Sequence, residues 1–297
     1  MTLAISAAGA YISLAKELIA GVSSLGIESY GLRMGPSWQN EPRLKLDTLL
    51  GRATHFLHIV DRRSALEPWF SYLVGLARGD ERPMALYRAD PSWQAPPWLS
   101  GLPLFDGIEE VLAFYEREKS AWELIEGRRQ ARASLLELGI SWHAESFAQC
   151  VRDGDFKAVE MFLASGYPPD LRDKNGVPML CLAARFKHHG IVELFLEGGC
   201  DINVQSDDRG FSSLMDAAQN GDQTLLRYLL AKGADPNLAS KDGQSALVIA
   251  VGRNDVDTSK ALLESGADPD LSDKLGLSAR KYAKLFHHPA MKALFEA

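Results

Sequence analysis

Cysteine is scarce: Cys150, Cys181 and Cys200 are the only three, and they form no paired motif. An odd count without Cys-x-x-Cys argues against a disulfide framework or a thiolate metal site, so free thiols in a reducing compartment are expected. Long hydrophobic runs are lacking too. The apolar N-terminus has no basic leader and is interrupted by Lys16 and Glu17 before it reaches spanning length, which makes a cytoplasmic protein without membrane contact the expectation. Nor is there a basic arm or stripe. The net charge is −7, with 12 basic and 14 acidic side chains in residues 1–120 and 20 and 25 in residues 121–297. A nucleic acid, which needs several phosphates neutralised together, is therefore not an expected partner.

What the chain does have is enough apolar sequence for two ordinary domains. Its 297 residues are 46% apolar and 24% charged, the balance of a globular protein able to bury a core in each half.

The second half repeats. The stretches "ASGYPPD", "EGGCDIN", "AKGADPN" and "ESGADPD" place glycines at 166, 199, 233 and 266, steps of 33, 34 and 33. A second series falls at 176, 210, 243 and 276, and the extra residue lies in "QSDDRG", in a connecting loop. Each second glycine is followed by a short apolar helix ("VPMLCLAARFK", "FSSLMDAAQNG", "QSALVIAVGRN") and then by another ("IVELFLEGG", "QTLLRYLLAKG", "DTSKALLESG"). Glycine supplies the left-handed cap after the second helix, and the Ala183–Ala184 and Ala217–Ala218 pairs allow close helix approach. This pattern resembles the ankyrin repeat, and residues 145–297 are similar to four units followed by a C-terminal half unit, "LSARKYAKLFHHPAMKALFEA". One unit cannot hide its own apolar face, so the resemblance implies a stacked, all-α-dominated solenoid.

The family's Thr-Pro-Leu-His turn appears here as Pro178-Met179-Leu180-Cys181, Ser212-Ser213-Leu214-Met215 and Ser245-Ala246-Leu247-Val248, so serine is expected to cap the first helix in two units. Arg280 replaces the expected leucine in the last unit, where Lys281 and Lys284 suit a solvent-facing cap. His188 and His288 each stand twelve residues past a glycine, at Gly176 and Gly276. A zinc site needs three or four converging ligands, and without supporting motifs these histidines read as structural and no metal is expected.

A solenoid offers an extended groove in place of an enclosed pocket, so a protein is the expected ligand of its concave face. The candidates are Arg185, Phe186, Gln219, Asn220, Arg253 and Asn254 on the inner helices, with Lys174, Asn175, Asp208, Arg209, Lys241 and Asp242 at the tips. Phe186 and Arg253 lead, since aromatic and arginine side chains are over-represented among binding hot spots.

The first half alternates strands ("LAIS", "IESYGLR", "THFLHIV", "MALYR", "LPLF") with helices at 12–22, within "RLKLDTLLGR" and in "EPWFSYLVGLARG". Regular alternation implies an α/β parallel sheet covered on both faces, with ligands met at the carboxyl ends of the strands. Ser6, Arg33 and Asp61 lie there, with Arg62, Arg63 and Ser64 just after. The tryptophans Trp38, Trp69, Trp93 and Trp98 lie near that edge, to stack on a base or to close a core. "SAAGAY" has one glycine, and no Gly-x-Gly-x-x-Gly or phosphate-binding lysine loop occurs at the first strand, so no cofactor is expected.

The order "LAISAAGAYISLAKELIAGVSSLGIESY", "RMGPSWQNEP" and "ATHFLHIVDRRSALEPW" resembles a Toll/interleukin-1 receptor (TIR) domain over residues 1–118, a flavodoxin-like sheet. Ser64, Glu67 and Trp69 fill its Ser-x-x-Ser-x-Trp signature, with Glu67 in place of the second serine. In the NAD-cleaving members of that family a glutamate four residues after the tryptophan contacts the ribose; the matching position here is Leu73. Leucine can neither accept a hydroxyl hydrogen bond nor stabilise an oxocarbenium charge. Glu67 lies six residues earlier, about 240° around the helix and about 9 Å along it, so it is not expected to substitute.

A helical stretch at 119–144 joins the halves, and a stiff connection is expected from its composition. The functional expectation is an interaction protein: an ankyrin array selecting a protein and a catalytically degenerate TIR-like domain for recognition or self-association, in immunity or host interaction. A nucleotide-hydrolysing enzyme and a non-cleaving nucleotide sensor are the alternatives.

Overall fold

The computed structural model describes residues 1–34, 48, 50–285 and 289–296. The expected helix within "RLKLDTLLGR" falls largely outside these residues, as do Trp38 and His288. The chain divides into two compact units, Met1–Glu126 and Gly127–Ala297.

Among the described residues, the first unit has five strands, β1 (Thr2–Ala8), β2 (Glu28–Met34), β3 (His55–Val60), β4 (Met84–Arg88) and β5 (Leu104–Phe105), all parallel and ordered β2-β1-β3-β4-β5. That is the flavodoxin-like order of a doubly wound sheet. Burial on both faces explains why the central strands are apolar-rich without a polar-out alternation, with all six residues of β3 buried, His55 and His58 included. Leu3, Ile5, Leu57 and Ile59 meet α1 (Ile12–Ser24) and the beginning of a long helix, α3 (Ile108–Glu137), through Leu18, Val22, Val111 and Tyr115. Tyr115, wholly buried, donates its hydroxyl to the Phe56 carbonyl at 2.8 Å.

The opposite face meets α2 (Pro68–Gly79). Trp69, Phe70, Leu73, Val74 and Ala77 form its buried stripe, the spacing of one helix face, against Ala4, Phe56, Val60 and Leu86. Glu67 stands at the N-cap, its carbonyl accepting from the Phe70 N–H but its side chain capping nothing, and Pro68 supplies the fixed φ that suits a first helical position.

Among its described residues the second unit has five helix pairs: α4 (Ala144–Asp153) with α5 (Phe156–Ala164), α6 (Met179–Arg185) with α7 (His189–Glu197), α8 (Ser213–Asn220) with α9 (Gln223–Ala231), α10 (Ala246–Gly252) with α11 (Val256–Glu264), and α12 (Ala279–Leu285) with α13 (Pro289–Glu296). The terminal segment thus forms a pair of helices of its own. One core runs through them all, from Leu135 to Met291. Successive hairpin tips are tied by single backbone bonds: Asp207 N to Gly176 O at 2.9 Å, Lys241 N to Arg209 O at 2.9 Å and Lys274 N to Asp242 O at 3.0 Å.

Capping follows the sequence. Ser212 and Ser245 accept from the backbone N–H of Met215 and Val248, and Asp155, Asp222 and Asp255 do the same for the outer helices α5, α9 and α11. The turn between paired helices needs one left-handed residue, supplied by Gly154, Lys187, Gly221 and Asn254 with φ of 75°, 62°, 63° and 60°. At the last unit Arg280 binds Asp270 and the Phe295 carbonyl, closing the end of the stack.

Candidate functional site

The carboxyl ends of the strands carry a polar network that shapes a turn. Asp61, just past β3, accepts from the Ser64 N–H at 2.6 Å and from the Tyr11 hydroxyl at 3.0 Å, while Ser64 Oγ accepts from the Asp61 N–H at 2.9 Å. Partial burial pushes the Asp61 carboxyl up, but these hydrogen bonds outweigh it and hold it below its usual range. Ser64 is buried in this turn. Arg33 lays its guanidinium beside Gly9, 3.5 Å from the place a β-carbon there would take.

Ser6 lies elsewhere. It is 2% exposed and sits in mid-sheet against His58, 2.9 Å from Nδ1. Burial pushes the His58 imidazole down to about 3, so it is neutral. Ser6 Oγ also lies 3.4 Å from the Leu57 carbonyl. His58 Nε2 and the Trp69 indole nitrogen are buried and find no hydrogen-bond partner among the described residues, and the two rings meet edge to face at 5.1 Å. Trp93 is buried as well, whereas Trp98 is exposed and leans on Phe70. At the position where the resembled family carries its glutamate, Leu73 is 1% exposed in the apolar core.

On the array, residues 33 or 34 apart stand in line along the inner helices. Several of the expected partner-binding residues are occupied within the chain. Arg185 donates to Asp208 at 2.8 Å and to Asp216 at 3.2 Å, and Arg209 donates to Asp216 at 2.7 Å while covering the Phe211 ring. Asn220 donates to the Arg185 carbonyl at 2.9 Å, closing the helix of the preceding unit. Lys174 pairs with Glu145 at 3.4 Å, and Lys241 donates to the Asp207 carbonyl. Asn254 serves as a left-handed turn residue.

Phe186, Gln219 and Arg253 are exposed. Phe186 is 46% exposed and stacks parallel to His188, with centroids 6.5 Å apart. His188 itself places Nε2 2.8 Å from the Arg152 carbonyl, the structural role expected of it. Among the described residues no three His, Cys, Asp or Glu side chains converge on a metal position. The three thiols are free, and burial raises Cys150 and Cys181 above the usual range and pushes Cys200 up to about 11.

Asp216 was not a sequence candidate. It is 1% exposed, and burial pushes its carboxyl up to about 6 against the pull of Arg185 and Arg209. Its immediate neighbours in line are Leu182 and Ile249, so an acid between two apolar residues was the available signal. Gly252 was missed for the converse reason. Its line runs Arg152, Arg185, Gln219, Gly252, and the loss of a side chain there is visible only when the units are stacked. The result is a depression of about 260 Å³ lined by Gln219, Gln244, Val248, Ile249, Gly252, Arg253 and Tyr282.

No helix among the described residues is long and apolar enough to cross a membrane. A family model of ankyrin repeats (3 copies) matches residues 147–240 and 214–297. An ankyrin repeat-containing protein of Treponema pallidum (strain Nichols) is 36% identical over 246 residues, 83% of each chain. That alignment is longer than the unit Gly127–Ala297, so the likeness extends into the sheet unit. The ankyrin repeat protein YahD of Escherichia coli (strain K12) is 29% identical over 92 residues, 31% of this chain and 45% of its own. The mouse ankyrin repeat and SAM domain-containing protein 6 is 35% identical over 77 residues, 26% of this chain and 9% of its own. The helix pairs, the hairpin ladder and these likenesses agree, and the chain belongs to the ankyrin repeat-containing proteins.

Proposed function

We propose that the chain is an interaction protein whose array holds a protein partner on its concave face. The observation that carries this reading is the contrast along that face: Arg185, Arg209 and Asn220 are taken up by contacts between units, while Phe186, Gln219 and Arg253 stand exposed beside them. An aromatic and an arginine on a rigid, extended surface are suited to carry binding energy. The test is affinity capture from an extract of the source cell with the full chain, followed by binding of the identified partner in vitro. Phe186→Ala and Arg253→Ala are expected to weaken it together. Binding that ignores both, and is lost instead on changing the sheet unit, would overturn the reading.

The sheet unit is read as a TIR-like domain for recognition or self-association without sugar-cleaving chemistry. The strand order, Ser64 and Trp69 at the signature positions, and a packed Leu73 support this. A role in immunity or host interaction follows from the resemblance. One observation favours a nucleotide-sensing alternative: Tyr11, Asp61 and the exposed Arg62 and Arg63 gather at the ligand end of the sheet. Thermal shift against a nucleotide panel tests it, and a flat response removes it.

A further inference from the structure

The inner-helix line that passes through Arg152, Arg185 and Gln219 reaches Gly252, where it has no side chain. Arg152 and Arg185 are anchored in place by Asp173 and by Asp208 with Asp216. At Gly252 a β-carbon would meet nothing within 4 Å, so the surface opens into the depression described above. Val248 and Ile249, both buried, lie beneath it, and the lining it opens to a ligand is mostly polar, with Gln219, Gln244, Arg253 and Tyr282 around it. The Tyr282 hydroxyl is directed to Asp273 at 2.7 Å.

Arg253 is the cation of this rim. Its guanidinium reaches the preceding unit, 3.0 Å from the place a β-carbon on Gly221 would take, and among the described residues no carboxylate pairs with it within 4.0 Å. The nearby Asp255 is engaged at the start of α11, accepting from Thr258 N–H at 3.0 Å and Thr258 Oγ1 at 2.7 Å. Arg253 therefore differs from Arg185 and Arg209, which are already neutralised within the chain. The depression, about 260 Å³, is smaller than the roughly 300–1,000 Å³ of a drug-sized ligand pocket. It suits one side chain of a protein.

We propose that this depression is the specificity pocket of the array, receiving the Asp or Glu side chain of a partner segment, whose carboxylate pairs with Arg253. The proposal rests on the protein-binding reading and adds the chemistry of the partner. A carboxylate matches the forked donors of arginine, which can bind both of its oxygens at once. The neutral amides of Gln219 and Gln244 hold the backbone of an extended segment without imposing a charge.

The experiment selects peptides from a random phage-displayed library on the full-length chain and measures the enriched peptides against variants. Gly252→Leu fills the depression from an open helix surface, and Arg253→Glu reverses its charge. Thermal unfolding should show Gly252→Ala folded at least as well as the parent, because alanine exceeds glycine in helix propensity. The expected result is enrichment of acidic residues, with affinity falling on the order of tenfold or more in Gly252→Leu and Arg253→Glu. Enriched peptides that lack carboxylates, or that bind Gly252→Leu as they bind the parent, overturn the proposal. If they respond to Phe186→Ala instead, the array remains a protein-binding surface without this pocket. A library that yields no binder to the array counts against both readings.

Discussion

The imidazole of His188 occupies the place where a β-carbon on Gly154 would stand, with Cε1 2.5 Å from that point, while its Nε2 lies 2.8 Å from the Arg152 carbonyl. A histidine at the helix–helix turn of one unit is thereby seated under the turn of the unit before it. Gly154 is required twice over, by its φ of 75° and by this ring.

Gly154→Ala should therefore cost more than the same change at the equivalent turn. A strained left-handed alanine and a displaced ring together should lower stability by about 2–3 kcal/mol. Gly221→Ala meets the flexible end of Arg253 and, at ordinary contact distance, the Asp255 carboxylate, and about 1 kcal/mol is expected there. Denaturant unfolding of the two variants checks the order; equal losses would show that the His188 contact contributes nothing.

Asp216 should make stability fall as pH rises. Its carboxyl has a folded value of about 6 against an ordinary 3.8, so the folded protein holds this proton more tightly than the unfolded chain. The contribution is fully present below the unfolded value and is lost as pH rises through the folded one. Asp216→Asn should remove that slope, seen as a difference between the two melting-temperature profiles across this window. Parallel profiles would mean that Arg185 and Arg209 keep the carboxyl ionised throughout.

Ser212→Ala and Ser245→Ala should each lower stability by about 1 kcal/mol through the lost cap. The two caps lie in different units, and the double variant should show nearly the sum. Urea midpoints measure this. A loss well below that figure would place the entry of α8 and α10 under the control of packing alone.

Leu73→Ala should cost about 2–5 kcal/mol, the usual loss for emptying a buried leucine site. Leu73→Glu should destabilise at least as much and release no base from NAD, because the new carboxylate is buried among Phe56, Val60 and Phe70. Base release by the parent chain would show that another acid performs the cleavage, and loss of that turnover in Glu67→Ala would identify it.

Much of the architecture was legible in the chain. The strands "THFLHIV" and "MALYR" are rich in apolar residues because a parallel sheet buries both faces, and the paired glycine series fixes the phase of the repeats. Ser212 and Ser245 were readable as caps from their place before an apolar helix. Ser6 was not readable as a buried residue: a serine at the end of a strand looks the same whether it faces a cleft or, as here, a histidine across the sheet. The duties of Arg185, Arg209 and Asn220 were equally hidden, since each touches something about one repeat away or an acid that sequence presents as solvent-facing.

By itself the sequence determined the local elements and their period, because propensity, capping and apolar spacing act over a few residues. Which charges are spent inside the molecule, and which remain for a partner, was decided by stacking. Asp216 lies 31 residues beyond Arg185 and takes up its charge, whereas Gly252 presents no side chain at the corresponding place. The availability of a charged or apolar group depends on what stands opposite it, and only the tertiary structure puts neighbours from different repeats face to face.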